Sequence, residues 1–250
     1  MKTATFLLLP LTLLGTLSSF RPAAPAAPAG LSVMATAVQR DVRAVDAFQE
    51  LSLGLPAEVI VRQGSEQRVE IDAAAEDLKQ VETTVKDGRL RIRRPEKSGF
   101  RWTDDYKFKQ PVKIYVTMTT VKLLSVSGSG SIRTETPVKA TQLKLSMSGS
   151  GRLQVNAVTD ALTTSISGSG RILVSGSADT NDVSISGSGR IEAQDLRTNS
   201  TSASISGSGN CRVYASKTLD ARISGSGSIV YQGGAQVSSH IAGSGSVRRG

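Results

Sequence analysis

Residues 165–172 read S-I-S-G-S-G-R-I, and the same eight letters return at residues 184–191. The centre of this stretch, S-G-S-G or its near-copy A-G-S-G, occurs seven times, beginning at Ser127, Ser148, Ser167, Ser186, Ser206, Ser224 and Ala242. The steps between copies are 21, 19, 19, 20, 18 and 18 residues. A short and steady period is typical of repeat architectures in which each unit packs on its neighbours.

Each copy is framed by apolar residues at fixed positions. One stands directly before the motif: Val126, Met147, Ile166, Ile185, Ile205, Ile223 and Ile241. Another follows two places after it: Ile132, Leu153, Ile172, Ile191, Cys211, Ile229 and Val247. Alternation of period two enters the motif and resumes after it, which predicts two or three short strands per repeat. Residues 121–250 are therefore predicted to form an all-β solenoid of stacked coils, with S-G-S-G at a bend or in a flat strand of small residues.

The two glycines of each motif are predicted to be structural. Stacked coils bring backbone against backbone, and glycine is needed where φ is positive or where no side chain fits. The fourteen positions are Gly128, Gly130, Gly149, Gly151, Gly168, Gly170, Gly187, Gly189, Gly207, Gly209, Gly225, Gly227, Gly243 and Gly245. Replacing Gly168 or Gly187 with valine is expected to break a coil rather than abolish a reaction.

A segment without the motif, residues 41–120, precedes the repeats and also reads as strands. Alternation predicts them at residues 48–53, 59–62, 68–72, 81–85, 89–93 and 112–118. Asp87-Gly88 is a strong hairpin signal. Residues 73–80 favour a short helical turn, and residues 98–109 favour an exposed loop. We expect residues 41–250 to form one continuous domain.

The first thirty or so residues are predicted to direct export. A charged start, an apolar run of about a dozen residues and a small-residue exit form the layout of a signal peptide. We assign residues 1–26 to it and residues 27–40 to an Ala/Pro-rich exit and linker. No later stretch approaches the length of a membrane span, so we expect no transmembrane segment in the mature chain.

The composition argues against several classes of function. Residues 121–250 carry 13 basic and 7 acidic residues, a surface that attracts anionic glycans, lipid head groups or nucleic acid. Aromatic residues make up only 4% of the chain, so the stacking platforms of single-strand binders are missing and we expect no nucleic-acid partner. The single Cys211 stands where other repeats carry Ile, Leu or Val, which predicts a small buried hydrophobe.

Candidate residues for catalysis or metal binding are scarce. His240 is the only histidine and falls in an outward column of serine and arginine, so a solvated surface side chain is expected. One histidine and one cysteine offer little for a metal site or a Cys-His pair, and no cofactor motif is present. The acids of the repeats look sparse and out of register, which argues against a polysaccharide-cleaving β-helix. We expect no catalytic residue, no metal and no cofactor.

One regular column does carry chemistry. The position directly after the motif holds Ser131, Arg152, Arg171, Arg190, Asn210, Ser228 and Ser246. Three consecutive arginines would stack at coil spacing and repel one another unless screened or bound to anions. The column predicts either a basic ladder (Arg152, Arg171, Arg190) for carboxylated, sulfated or phosphate-bearing glycans, or a solvated face that keeps the solenoid from aggregating.

Taken together, these residues resemble a known family. The strand segment FQELSLGLPAEVIVRQGSEQRVEI (residues 48–71), then VKDGRLRIR (85–93) and PVKIYVTMTTVKLLSVSGSGSI (111–132), followed by recurring S-G-S-G, is similar to the head GIN domain family. That family is named for the head domain of autotransporter adhesins and is common in Bacteroidota. The resemblance covers about residues 43–235. It implies a right-handed parallel β-helix and a cell-envelope, surface or secreted location, and it supplies no catalytic residues.

The expected function is therefore that of an exported, non-enzymatic β-solenoid serving in surface interaction or adhesion. One alternative is a periplasmic envelope or signalling-associated protein that binds glycan or protein, and another is a carbohydrate-active β-helix enzyme. The sequence names no partner; an anionic glycan or an envelope protein fits the basic ladder. End-to-end self-association through the coil at Val247 is a further expectation.

Overall fold

The computed structural model describes residues 38–95 and 106–250, and most of them lie in strands. In chain order the strands are β1 (Val38–Arg43), β2 (Glu50–Leu53), β3 (Glu58–Gln63), β4 (Arg68–Ala74), β5 (Glu82–Lys86), β6 (Arg89–Arg93), β7 (Lys113–Met118), β8 (Leu123–Gly128), β9 (Ser131–Thr134), β10 (Val138–Gly149), β11 (Arg152–Gly168), β12 (Arg171–Gly187), β13 (Arg190–Gly207), β14 (Asn210–Tyr214), β15 (Thr218–Gly225), β16 (Ser228–Gln232), β17 (Gln236–Ala242) and β18 (Ser246–Arg249). A helix of four residues, α1 (Ala75–Leu78), follows β4. Within these two ranges no helix has the length and apolarity needed to cross a bilayer. The signal segment predicted at residues 1–26 lies outside the described residues.

The repeats stack as parallel coils in register. Strands β10 to β13 pair successively in parallel, so that Ser148, Ser167 and Ser186 are direct partners and the motifs lie on top of one another. Each motif forms a bend between the end of one strand and the start of the next. The chain forms a β-solenoid of about seven turns, which confirms the predicted fold class.

The strand count per repeat varies along the stack. In the three central repeats, of 19, 19 and 20 residues, one continuous strand of 17 or 18 residues runs from motif to motif, as in β11, β12 and β13. In the first repeat, of 21 residues, and in the last two, of 18 residues each, the chain breaks into two strands, such as β9 and β10 or β14 and β15. The prediction of two or three short strands therefore holds for these three repeats and not for the central ones, which keep their ladder pairing around most of the coil.

The core is the stack of apolar residues that point into the coils. Ile166, Ile185 and Ile205 are at most 2% exposed. Cys211 shares the next inward column and is 1% exposed, as predicted for a small buried hydrophobe. Burial raises the pKa of its thiol to about 12, because the charged thiolate would have no water around it. Each buried aliphatic side chain contributes about 1.5–3 kcal/mol, so the stacked columns supply the main stabilisation.

One inward column of this core contains a polar interruption. Asn181 is 3% exposed and lies between Leu162 and Thr201 in the stack. Its Oδ1 atom is buried and, within the described part of the chain, has no hydrogen-bond partner. A buried acceptor without a partner costs about 1–3 kcal/mol, so the Asn181 amide reduces the stability that this layer would otherwise have.

The two glycines of each motif are required for different reasons. The first glycine has positive φ: in Gly168 φ is 122°, and a Cβ atom there would lie 2.7 Å from the carbonyl oxygen of Gly149 in the preceding coil. The second glycine leaves room for a core side chain. A Cβ on Gly189 would lie 2.5 Å from Cγ2 of Ile166. The preceding coil thus fills the space that a side chain at these positions would need, except at Gly128, where a Cβ would meet nothing within 4 Å and only the positive φ of 104° favours glycine.

The segment before the repeats joins the same solenoid. β2 pairs in parallel with both β6 and β8, and β3 pairs in parallel with both β7 and β9. The coil made by β2 and β3 therefore lies between a coil that comes later in the chain and the first S-G-S-G coil. Beyond β7 the sheet is closed by two antiparallel strands, β4 and then β1.

The predicted hairpin and helical turn are both present in this segment. β5 and β6 form an antiparallel pair, and Asp87 and Gly88 between them both have positive φ, at 55° and 71°. These are the values that a two-residue hairpin turn needs. α1 occupies residues within the predicted helical turn.

A buried carboxylate anchors part of the predicted loop at residues 98–109. Asp77 of α1 is 0% exposed and accepts a hydrogen bond of 2.7 Å from the Tyr106 hydroxyl and another of 3.2 Å from the Lys109 backbone N–H. The hydrogen bond to Asp77 raises the pKa of Tyr106 to about 12. Residues 98–105 of that loop lie outside the described residues.

Candidate anion-binding groove

The solenoid brings the three arginines of the predicted ladder into one column. Arg152, Arg171 and Arg190 are the first residues of β11, β12 and β13, and they are direct register partners. Backbone hydrogen bonds hold each one to the coil before it, with N···O distances of 3.0, 3.1 and 3.0 Å to Gly130, Gly151 and Gly170. Paired strands lie about 4.8 Å apart, so the three side chains leave the sheet at that interval.

The column is bounded by residues of opposite or neutral character. On one side it continues through Ser131 to Glu58, and on the other through Asn210. Glu58 was not predicted to share this column, because residues 51–59 carry no S-G-S-G. A weaker signal was present: Leu51, Leu53 and Val59 have the same spacing as Leu145, Met147 and Leu153 in a true repeat.

The charges near the column differ in how they are neutralised. Arg133 donates to Glu58 at 2.9 Å, and this hydrogen bond raises the pKa of the Arg133 guanidinium above its ordinary value. Arg171 lies 3.9 Å from Glu192, the outer limit of an ion pair. Arg152 and Arg190 have no carboxylate within 4.0 Å among residues 38–95 and 106–250. Two of the three arginines therefore carry unpaired charge on an ordered face.

A groove of about 630 Å³ runs along the first part of this column. Its charged lining consists of Glu58, Arg133, Arg152 and Arg171. Its polar lining includes the hydroxyls of Ser129, Ser131, Ser150 and Ser169 and the amide of Gln154. The groove has no aromatic side chain in its lining, and Arg190 lies outside it. Such a site offers charge and hydrogen bonds but no stacking surface.

The serine hydroxyls beside the arginines are also held in register. Ser150 and Ser169 donate backbone hydrogen bonds of 3.0 Å to Gly128 and Gly149, and both are exposed. Each coil therefore presents one hydroxyl and, two residues later, one outward side chain from the arginine column. The result is a double row of donors with a fixed repeat.

The other candidate chemical groups lie apart from this groove. His240 is exposed on β17 and pairs in register with Arg222, as predicted for a surface side chain. The thiol of Cys211 faces the core. In the described ranges no three His, Cys, Asp or Glu side chains are grouped to hold a metal ion.

The prediction that the acids of the repeats fall out of register needs one correction. Asp182 and Asp220 share a column, with Ser202 between them, although the sequence suggested that acids fall out of register. Both acids stand four residues before a motif, at Ser186 and Ser224, so the match is visible when positions are counted back from the motif and is concealed only in the spacing along repeats of unequal length. Asp220 is paired with Arg222 at 2.5 Å.

Comparison with known proteins agrees with this architecture. The chain is similar to a "putative adhesin" from Bacteroides fragilis, with a TM-score of 0.75 and 24% identity over 85% of this chain and 96% of that one. It is also similar to a "putative lipid binding protein" from Parabacteroides distasonis, with a TM-score of 0.70 and 26% identity over 86% of this chain and 97% of that one. A "putative adhesin" from Parabacteroides distasonis gives a TM-score of 0.69 at 22% identity, over 85% and 97% of the two chains. No curated protein matches the sequence.

The family comparison is the most direct. The family model described as "Putative auto-transporter adhesin, head GIN domain" matches residues 47–235, which is more than half of the chain. The matched range spans the solenoid from the segment before β2 to the turn before β17. The resemblance seen in the strand segment and the S-G-S-G repeat is confirmed. The chain therefore belongs to the head GIN domain family.

Proposed function

We propose that this chain is an exported, non-enzymatic interaction module of the adhesin type, which binds anionic glycans of the cell envelope through the Arg152–Arg171–Arg190 column. The observation that carries the proposal is the in-register column of arginines, two of which have no carboxylate partner among the described residues. Membership of the head GIN domain family supports the adhesin-like role.

The electrostatics of the column favour an anionic ligand. Two unit charges about 4.8 Å apart repel by roughly 1–3 kcal/mol between bulk-water and protein-surface screening. An anion bound between the side chains removes that repulsion and adds charge-assisted hydrogen bonds. Since the groove lacks aromatic side chains, affinity should come mainly from charge and should fall steeply with ionic strength.

Binding can be tested with the full-length chain on a glycan array at about 20 mM and 300 mM salt, a range over which screening changes strongly. Carboxylated, sulfated and phosphorylated glycans should be retained at low salt and lost at high salt. A triple variant, Arg152→Gln/Arg171→Gln/Arg190→Gln, should lose this binding. Arg248→Gln and Arg249→Gln, exposed charges at a distance from the groove, serve as the matched control. Anionic phospholipid vesicles belong in the same test, because one structural relative is described as lipid-binding.

The location is tested separately. Protease treatment of intact cells should degrade a surface-exposed protein, whereas a periplasmic one should be cut only after the outer membrane is opened. Protection in intact cells would favour the alternative of a periplasmic envelope protein, and the ligand class would be unaffected.

The non-enzymatic part of the proposal is tested on anionic polysaccharides by measuring new reducing ends. Asp182 and Asp220 are the acids to replace if any appear, because they share a column near the hydroxyls of Ser200 and Ser202. Turnover that Asp182→Asn abolishes would contradict the non-enzymatic role.

A further inference from the structure

We propose that Arg152 and Arg171 act as one clamp that binds a single phosphomonoester group on a saccharide. This inference rests on the proposed function, since it concerns the same column, and it names the anion and the two residues that bind it. The clamp is the pair in the groove, and Arg190 contributes only long-range attraction.

The pair is selected by the shape of the surface. Arg152 and Arg171 both line the groove of about 630 Å³, whereas Arg190 does not. Beyond Ser131, on the side away from Arg152, the charged lining of the groove ends with the Glu58–Arg133 ion pair. One adjacent pair of arginines, rather than three equal ones, therefore lines the open groove.

The backbone fixes the separation of the pair. Arg152 and Arg171 are register partners, and each is tied into the ladder by its own N–H. Their attachment points are therefore about 4.8 Å apart and cannot spread without breaking the ladder. At this spacing two guanidinium groups reach the same anion from adjacent coils.

The number of acceptor oxygens favours a tetrahedral anion over a carboxylate. A guanidinium group binds a carboxylate through two parallel hydrogen bonds, which uses both oxygens of that carboxylate in one plane. A phosphomonoester presents three terminal oxygens, so it can accept two hydrogen bonds from one arginine and still offer an oxygen to the next. Two stacked arginines are thus better matched by three oxygens than by two.

Phosphate and sulfate differ in the charge that they present to the two arginines. Arg133 is neutralised by Glu58 and Glu135, whereas Arg171 has only Glu192 at 3.9 Å and Arg152 has no carboxylate within 4.0 Å among the described residues. A phosphomonoester carries roughly −1.5 to −2 at pH 7, whereas a sulfate monoester carries a single charge. The remaining lining, with Ser129, Ser150 and Gln154, offers hydroxyl and amide groups to the sugar.

The test uses calorimetric titration of the full-length chain with glucose 6-phosphate, glucose 6-sulfate, glucuronic acid and inorganic phosphate. Glucose 6-phosphate should bind about tenfold or more tightly than glucuronic acid, and more tightly than inorganic phosphate because the serine row contacts the sugar. Binding should strengthen from pH 5 to pH 7, since the second pKa of a phosphomonoester is about 6. Glucose 6-sulfate should show no such rise.

The variants report whether one anion bridges the two side chains. Arg152→Gln and Arg171→Gln should each weaken glucose 6-phosphate binding about tenfold or more, and the double variant should be little worse than either single one. Arg248→Gln, an exposed charge away from both the groove and the arginine column, should change affinity less than about threefold. Circular dichroism should be unchanged and the melting temperature should not fall in any of them, because these side chains lie outside the core and the arginine substitutions remove charge repulsion.

Two results would overturn the clamp. Additive losses in the double variant would mean that each arginine binds its own anion. Equal affinity for glucuronic acid and glucose 6-phosphate would mean that neither the number of acceptor oxygens nor the charge of the anion determines the affinity of the site. In both cases the proposed function would stand if glycan binding is still sensitive to salt and still depends on the arginine column. If the unmodified chain binds no anionic glycan, both the clamp and the proposed function are wrong.

Discussion

The first glycine of each motif allows a stability prediction worked from the structure. In Gly168→Ala the new Cβ would stand 2.7 Å from the carbonyl oxygen of Gly149 and 3.2 Å from its nitrogen. Both atoms are backbone, and that carbonyl already accepts the N–H of Ser169 at 3.0 Å. The clash can be relieved only by moving the ladder.

The cost has two parts. A side-chain-bearing residue at a φ of 122° carries strain of about 1–3 kcal/mol. Weakening one ladder hydrogen bond adds about 0.5–1.5 kcal/mol. We therefore expect a loss of roughly 2–4 kcal/mol, or about 5–15 °C in melting temperature for a domain of this size. Gly168→Val should be more severe, because its β-branched side chain adds bulk at the same point.

The assay is thermal and urea unfolding followed by circular dichroism. Ser167→Ala is the matched control: it alters the neighbouring exposed residue of the same bend and should stay within about 0.5 kcal/mol of the unmodified chain. If Gly168→Ala melts within that range as well, the argument from positive φ and backbone contact is refuted.

Four further predictions concern the rest of the solenoid. Gly189→Ala should destabilise the chain by forcing its Cβ onto Ile166, and combining it with Ile166→Ala should cost less than the sum of the single losses, as measured by a double-mutant cycle in urea. Asn181→Leu should raise the free energy of unfolding by about 1–3 kcal/mol, because it removes a buried acceptor without a partner from the inward column between Leu162 and Thr201; a fall would show that the amide is satisfied. Cys211 should react with a thiol reagent only as fast as the chain unfolds, since its thiol is buried and its pKa is about 12; rapid labelling at pH 8 would contradict its buried position. The hydrogen bond from Arg40 of β1 lowers the pKa of Asp72. The ion pair should therefore stabilise the chain above about pH 4, the ordinary pKa of aspartate, and this stabilisation should be lost as the pH falls through the lowered pKa. Asp72→Asn should make the free energy of unfolding less dependent on pH in that range.

The repeat made much of the fold predictable from sequence. Alternation around S-G-S-G identified the inward columns, and Asp87-Gly88 identified the hairpin, because both depend on local backbone chemistry. The position of Glu58 was not predictable in the same way. It depends on which coils become neighbours, and residues 51–59 match the repeat only in the spacing of three apolar residues.

The candidate site was also predictable from the sequence only in part. The arginine column follows from the repeat period, so its three members could be named in advance. The groove could not, because it arises where Glu58 and Arg133 pair across coils that are 75 residues apart in sequence. The shared column of Asp182 and Asp220 was predictable from the sequence, since both acids precede a motif by four residues, but the spacing along the chain conceals it because the repeats differ in length.

The position of the β2–β3 coil has a consequence for the order of folding. Its neighbours on both sides, β6–β7 and β8–β9, are synthesised after it, so this coil has two open edges until residue 118 is available and one until residue 134. The later repeats need only the coil immediately before them and can be added one at a time. Closing the first coil requires long loops, and such distant contacts form slowly. We therefore expect the central S-G-S-G coils to nucleate folding and the β2–β3 coil to join last, although it emerges first from the ribosome.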